Sequence, residues 1–167
     1  MPDAFPILAF VTLQRIAELW FSARNTKRLR DRGAIEAGQG HYPLMVGLHA
    51  GWLAGLWILS WPLFANWWLV AAYLALQILR VWVIASLGER WTTRIFVLPG
   101  ARIVSSGPYR LLRHPNYIVV VIEIALLPLA FGLVAFAIAF SVANAAVLAW
   151  RIRVEERALS SGSSHAA

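Results

Sequence analysis

The sequence predicts an all-α integral membrane bundle of five transmembrane helices, the last two forming a helical hairpin. Two observations carry this prediction. Sixty per cent of the 167 residues are hydrophobic and only 14% are charged, which departs in both respects from a water-soluble domain. Apolar runs long enough to cross a hydrocarbon core of ~30 Å also recur along the chain, so the reading is one membrane domain over residues 1–159.

The elements follow in order. Ala4 to Ala23 reads as a first helix; it carries Arg15 and Glu18 and has no basic leader or small-residue cleavage site, so a retained helix is expected, not a signal peptide. Arg24 to Gly40 is a polar connector dense in Arg and Lys, and Leu44 to Trp61 is the second span. Pro62 to Asn66 turns the chain into a third span from Trp67 to Leu87. Gly88 to Pro115 is polar and too long to be an idle loop. The apolar stretch from Asn116 to Trp150 exceeds one span and contains Pro128 and Gly132, which favours a hairpin broken there over one long kinked helix. The small, polar tail from Ser160 to Ala167 is expected to be disordered.

Charge sets the orientation. Thirteen of the fifteen basic residues lie in the two long connectors and after the last helix, and the opposite turns contain none. The positive-inside rule then places the N-terminus outside and the C-terminus in the cytoplasm. The net charge of +7 needs no nucleic acid to explain it. A basic face would instead meet anionic membrane lipid and hold lipid-like substrates nearby. The chain has no cysteine, which excludes disulfides, thiolate metal sites and a cysteine nucleophile.

Ionisable residues inside spans cost ~2.5 to 3.5 kcal/mol each on insertion scales and need a partner or a task. Arg15 and Glu18, three apart, can pair with each other. Arg80 shares a face with Gln77 and is expected to snorkel toward the cytoplasmic end. His49 lies two turns into the second helix, where a bond to a neighbour is commoner than a catalytic role. Glu123 has no basic residue at helical spacing within its own span, and a functional role is favoured for it.

Two motifs remain. Ser105 to Tyr117 places a Gly-Pro turn, an Arg-His pair and a helix-starting Pro-Asn-Tyr at the membrane surface, a pattern suited to an anionic group at an interfacial small-molecule site. Arg151 to Leu159 continues the last helix into the cytoplasm with Arg151 and Glu155 on one face; a solvated salt-bridged helix end would look the same. Together Gly-Pro-Tyr-x-x-x-Arg-His-Pro-x-Tyr and Arg-x-x-x-Glu-Glu-x-x-Leu, separated by a helical hairpin, resemble the isoprenylcysteine carboxyl methyltransferase family of membrane enzymes. The resemblance implies S-adenosylmethionine as cofactor and a lipophilic substrate arriving from the bilayer. It implies that His114 and Tyr117 contact cofactor, that Gly107, Pro108 and Tyr109 shape its pocket, and that Glu155 or Glu156 holds its polar groups. Arg151 would orient the acceptor anion. Ala101 and Val119 depart from the family pattern, which often has His or Asn at the first place and Gly at the second.

The segment His41-Tyr42-Pro43-x-Met45-Val46-x-x-His49, with Asn116-Tyr117 followed by Glu123, is similar to a bacterial branch that methylates hydroxyls of alkylpyrones or alkylresorcinols made by type III polyketide synthases. That likeness implies a bacterial inner-membrane location. A carboxylate acceptor needs only a guide such as Arg151, whereas a resorcinol hydroxyl benefits from a general base, for which His49 or Glu123 could serve. Tyr117, Tyr109 or Trp91 could offer a cation–π face to the sulfonium. Two other classes stay open: an NADPH-dependent membrane reductase of the sterol reductase type, which carries a similar Arg-His-x-Asn-Tyr segment, and a non-catalytic lipid-binding bundle. The acceptor and the oligomeric state are not encoded in these motifs.

Overall fold

The computed structural model describes residues 3–61, 63–101, 104–112 and 114–163. Five helices carry the fold: α1 (Ala4–Asp31), α2 (Tyr42–Leu59), α3 (Trp67–Leu87), α4 (Pro115–Ala130) and α5 (Val134–Ser163). Four helical segments are long and apolar enough to cross a membrane, and α4 is a shorter apolar helix. At ~1.5 Å per residue the 16 residues of α4 span about 24 Å. The outward faces carry large apolar side chains such as Trp20, Trp68, Ile78, Ile138 and Val142, as a lipid-facing surface requires. The protein is an integral membrane bundle.

α3 has the bounds expected from the sequence, whereas α1 runs two turns further than expected. The residues assigned to the start of a polar connector continue the helix because one side of it still has something to cover. Asn25 and Leu29 are buried, and the Asn25 amide donates to the carbonyls of Gly88 (3.0 Å) and Trp91 (2.8 Å) just past the end of α3. The rest of the connector crosses to the second polar stretch as a short antiparallel pair, β1 (Ile35–Ala37) with β2 (Ile95–Val97), Glu36 facing Phe96. Burial alone would raise the pKa of Glu36, but hydrogen bonds from Arg30 and Arg94 outweigh it and hold the carboxyl below its ordinary range.

The hairpin break falls where proline and glycine predict it. Pro128 is tolerated in the last turn of α4, and Gly132 follows at φ +73°, with Leu133 N–H returning to the Pro128 carbonyl (3.0 Å). Proline has no N–H to offer the Ile124 carbonyl; the Trp52 indole of α2 supplies the missing donor at 3.1 Å.

The core lies between α1, α2, α3 and α4, where Leu8, Val11, Trp52, Leu56, Val70, Tyr73, Ile124 and Leu127 pack together. At one end of the bundle Asp3 accepts from the Ala65 N–H (3.5 Å), and Asn66 N–H donates to the Ala130 carbonyl (2.7 Å). The start of α1 and the α2–α3 and α4–α5 turns therefore share that end. The β pair and the two long connectors share the other, which is the basic end. α5 continues to Ser163, so the tail expected to be disordered from Ser160 begins inside a helix; residues 164–167 lie outside the described residues.

Candidate functional site

Two polar constellations stand out, one inside the bundle and one at its basic end.

Inside the bundle, α1, α3 and α4 bring four charges together. Arg15 pairs with Glu18 (2.9 Å), as their spacing predicts, and also with Glu123 (2.7 Å). Arg80 forks onto Glu18, with its Nη2 at 2.7 Å, and reaches Glu123 through Nη1. Arg80 is therefore buried in the bundle and does not snorkel to its end. Gln77 donates to the other Glu123 oxygen (2.8 Å) and accepts from Gln14 (2.6 Å), which also donates to Glu18 (2.9 Å). Glu123 lacks partners within its own span but has three from two other helices. Two cations face two anions, so the buried charge sums to zero.

At the basic end a turn, two helix ends and a loop converge. The Gly-Pro-Tyr segment forms a 3₁₀ turn at Gly107–Arg110 packed on α3. Gly107 has φ +56°, and a Cβ there would lie 2.2 Å from the Ser86 hydroxyl, so both the conformation and the close approach require glycine. Pro108 is buried. Burial, followed by the nearby Glu155 carboxylate, pushes the Tyr109 phenol up to about 12, so it stays protonated at neutral pH. His114 stacks on Tyr117, ring centroids 5.3 Å apart and planes 15° from parallel. Arg113 lies outside the described residues.

The Tyr117 hydroxyl donates to Glu155 and accepts from Arg151 Nε (3.0 Å). Arg151, only 6% exposed, also places Nη1 on the Thr93 carbonyl (2.7 Å) and against the Met45 sulfur (2.9 Å). These contacts use Nε and Nη1; its Nη2 has no acceptor among the described residues. Glu155 shares a face of α5 with Arg151, while Glu156 is exposed. Beside this cluster an apolar groove of about 270 Å³ runs between α4 and α5, lined by His114, Tyr117, Ile118, Val121, Leu148 and Ile152.

His49 touches the Met45 carbonyl one turn before it on α2 while Arg151 touches the Met45 sulfur, but the charged groups that act on His49 are Arg15, Arg80 and Glu123 of the inner ring. His49 Nδ1 lies 2.8 Å from the Met45 carbonyl, which can only accept, so Nδ1 carries the proton and Nε2 the lone pair. The structure thus joins Arg151, Tyr117, Glu155, Tyr109 and His114, sets Glu156 apart and places Glu123 in the inner ring. Trp91 offers no open face: it is buried and stacked on Phe21 at 5.9 Å. Thr93 is a site residue that the sequence motifs do not contain, and Met45, named there only as part of a likeness, touches Arg151. Asn116 Oδ1, in the first turn of α4 between His114 and Tyr117 in sequence, is buried without a partner among the described residues.

Residues 68–161 match the model of the isoprenylcysteine carboxyl methyltransferase (ICMT) family. An uncharacterised Bacillus subtilis protein, YpbQ, is 39% identical over 160 residues, covering 92% of this chain and 94% of the relative. An uncharacterised Haemophilus influenzae protein is 31% identical over 158 residues, covering 87% and 88%. No solved structure matches. The family match contains the Gly-Pro-Tyr turn and Arg151 to Glu156 but begins after α2, so Met45 and His49 lie outside it.

Proposed function

The chain belongs to the isoprenylcysteine carboxyl methyltransferase family, and from that membership we propose that it is an S-adenosylmethionine-dependent O-methyltransferase of a lipophilic acceptor. The reaction takes place at the basic end, which the positive-inside rule assigns to the cytoplasm. The observation that carries the proposal is the Arg151–Tyr117–Glu155 cluster at the end of an apolar groove between α4 and α5.

The residues suit both partners of such a reaction. S-adenosylmethionine, when bound, supplies an electrophilic methyl group on a sulfonium. Glu155, the Asn116 side-chain oxygen and the faces of Tyr117 and His114 would hold its amino, hydroxyl and cationic groups, with Gly107, Pro108 and Tyr109 forming the wall. The apolar groove receives the acceptor's tail. Arg151 Nη2 is directed by the bonds that fix Nε and Nη1, and it orients the acceptor oxygen for in-line attack. Exclusion of water by the surrounding apolar side chains strengthens that contact.

The acceptor is an oxygen anion, either a carboxylate as in a prenylated cysteine or the hydroxyl of an alkylpyrone or alkylresorcinol. A carboxylate needs no base. A hydroxyl gains roughly 10²- to 10⁴-fold from one. Of the two candidate bases, the Glu123 carboxylate is already occupied by two guanidinium groups and an amide, while the neutral His49 ring, with Nδ1 on the Met45 carbonyl, keeps a lone pair on Nε2, so a hydroxyl acceptor would have to reach His49.

Calorimetric titration of the purified protein with S-adenosylhomocysteine tests the cofactor. Wild type should bind, and His114→Ala and Tyr117→Ala should each weaken binding by about tenfold, the equivalent of one ~1.4 kcal/mol contact. Methyl transfer should then be measured on a prenylated cysteine analogue and a long-chain alkylresorcinol, with His49→Ala slowing only the second. Wild-type protein that binds NADPH but not S-adenosylhomocysteine would overturn the reading.

A further inference from the structure

Ser22 lies on α1, before the segment that matches the family, and it is 3% exposed. A serine or threonine in a helix commonly bonds back to the preceding turn, as Thr12 does with the Leu8 carbonyl at 2.7 Å. Ser22 bonds outward instead. Its Oγ accepts the Thr93 N–H (2.9 Å) and contacts the hydroxyls of Thr93 (2.9 Å) and Thr92 (3.3 Å). A hydroxyl has one hydrogen and two lone pairs, so these three contacts use its full capacity.

The segment that Ser22 holds is irregular backbone between α3 and β2. On the other side of the same residue, the Thr93 carbonyl receives Arg151 Nη1 at 2.7 Å. Of the other partners of Arg151, the Met45 thioether on Nη1 is a weak acceptor, while the Tyr117 hydroxyl, held by its own donation to Glu155, takes Nε. The Thr93 carbonyl is thus the strong acceptor that fixes Nη1, and with Tyr117 on Nε it sets the rotation of the guanidinium plane. Two supports steady the neighbouring residues: Thr26 bonds to the Thr92 hydroxyl (3.1 Å), and the Tyr42 hydroxyl lies 3.4 Å from that of Thr93.

We propose that Ser22 is a positioning residue: acting through Thr93, it fixes the direction in which Arg151 presents Nη2 to the acceptor oxygen. The role assigned to Arg151 rests on the methyltransferase reading above; the contact itself does not. Without the Ser22 hydroxyl the Thr93 N–H is left without its acceptor, the loop relaxes, and Arg151 loses its register while its charge remains. Glu155 and His114 make no bond to Ser22 or Thr93, and Tyr117, which does bond Arg151, keeps its place through its own bond to Glu155 and its stack on His114.

The experiment uses the full chain in detergent, as wild type, Ser22→Ala, Ser22→Thr and Thr93→Val, with Ser22→Ala repeated in an Arg151→Lys background. Three quantities are measured: S-adenosylhomocysteine affinity, kcat and KM for whichever of the prenylcysteine analogue and the alkylresorcinol wild type methylates, and solvent exchange of the Thr93 amide and the Arg151 Nε–H by NMR. Ser22→Ala should speed both exchanges and lower acceptor kcat/KM by roughly 10- to 100-fold, the scale of a misplacement near 1 Å, with cofactor affinity nearly unchanged. Ser22→Thr should restore both. In the Arg151→Lys background Ser22→Ala should add little. Should Ser22→Ala not fold, Thr93→Val removes the hydroxyl arm alone and should give the same split in smaller measure. Unchanged exchange, parallel losses of cofactor affinity and turnover, or a full Ser22 effect in the Arg151→Lys protein would each overturn the proposal. If wild type binds no S-adenosylhomocysteine, the methyltransferase reading fails, and the exchange rates still decide whether Ser22 holds Arg151.

Discussion

Glu123 has no accessible surface, and its charge is matched entirely by side chains that local spacing does not reveal. Changing it to Gln would leave Arg15 and Arg80 facing the single carboxylate of Glu18, an uncompensated buried cation. Breaking such a pair from one side costs about 3–5 kcal/mol, so Glu123→Gln should lower the thermal midpoint in detergent sharply. Adding Arg15→Gln restores neutrality and should recover part of the loss. If the double variant is no more stable than the single one, the ring does not act as a charge-balanced unit. The same comparison shows what a sequence can carry at this scale. Arg15 with Glu18 was legible because helical geometry fixes neighbours three apart, and the shared face of Gln77 and Arg80 was legible for the same reason. The link from Arg80 to Glu123 depends on how α3 packs against α4, which no local spacing encodes. For the same reason Glu155 and Glu156 could not be told apart until α5 had a neighbour.

At the scale of elements, proline, glycine and tryptophan settle how α4 ends. Pro128 takes a donor from the Ile124 carbonyl, Trp52 on α2 returns one, and Gly132 reverses the chain. The proline is thus both the signal that made the hairpin legible and a weak point that needs another helix. Trp52→Phe keeps most of the ring volume and removes the N–H, leaving a buried carbonyl unpaired at a cost of about 1–3 kcal/mol. In a Pro128→Ala background residue 128 regains its own N–H, and the cost of Trp52→Phe should largely vanish. Equal losses in both backgrounds, read as denaturation midpoints, would show that the indole contributes only packing. The connectors were less legible than the spans. Half of the first one is helix because Asn25 and Leu29 have α3's end to cover, and three-residue strands such as β1 and β2 have too few positions to show an alternation.

For the whole molecule, the arrangement of ends decides where the chemistry can occur. The hydrogen bonds from Ala65 to Asp3 and from Asn66 to Ala130 gather the short turns at one end. The Arg28–Glu89 and Arg32–Glu89 pairs, the β pair and the Tyr117–Glu155 contact gather the basic segments at the other. On the methyltransferase reading proposed above, the Arg151 cluster meets a water-soluble cofactor only if the basic end faces the compartment that supplies it. The positive-inside rule, applied to the distribution of Arg and Lys, predicts that compartment to be the cytoplasm. A reporter fused after Leu159 should therefore be active in the cytoplasm, and reporters inserted at Asn66 or Leu129 should report the opposite side. The two ways in which this can fail mean different things. Finding Asn66 and Leu159 on one side would contradict the bundle itself, because three helices, α3 to α5, separate them. Finding them on opposite sides but inverted would keep the bundle and place the Arg151 cluster away from the cofactor supply, which the methyltransferase reading would not survive.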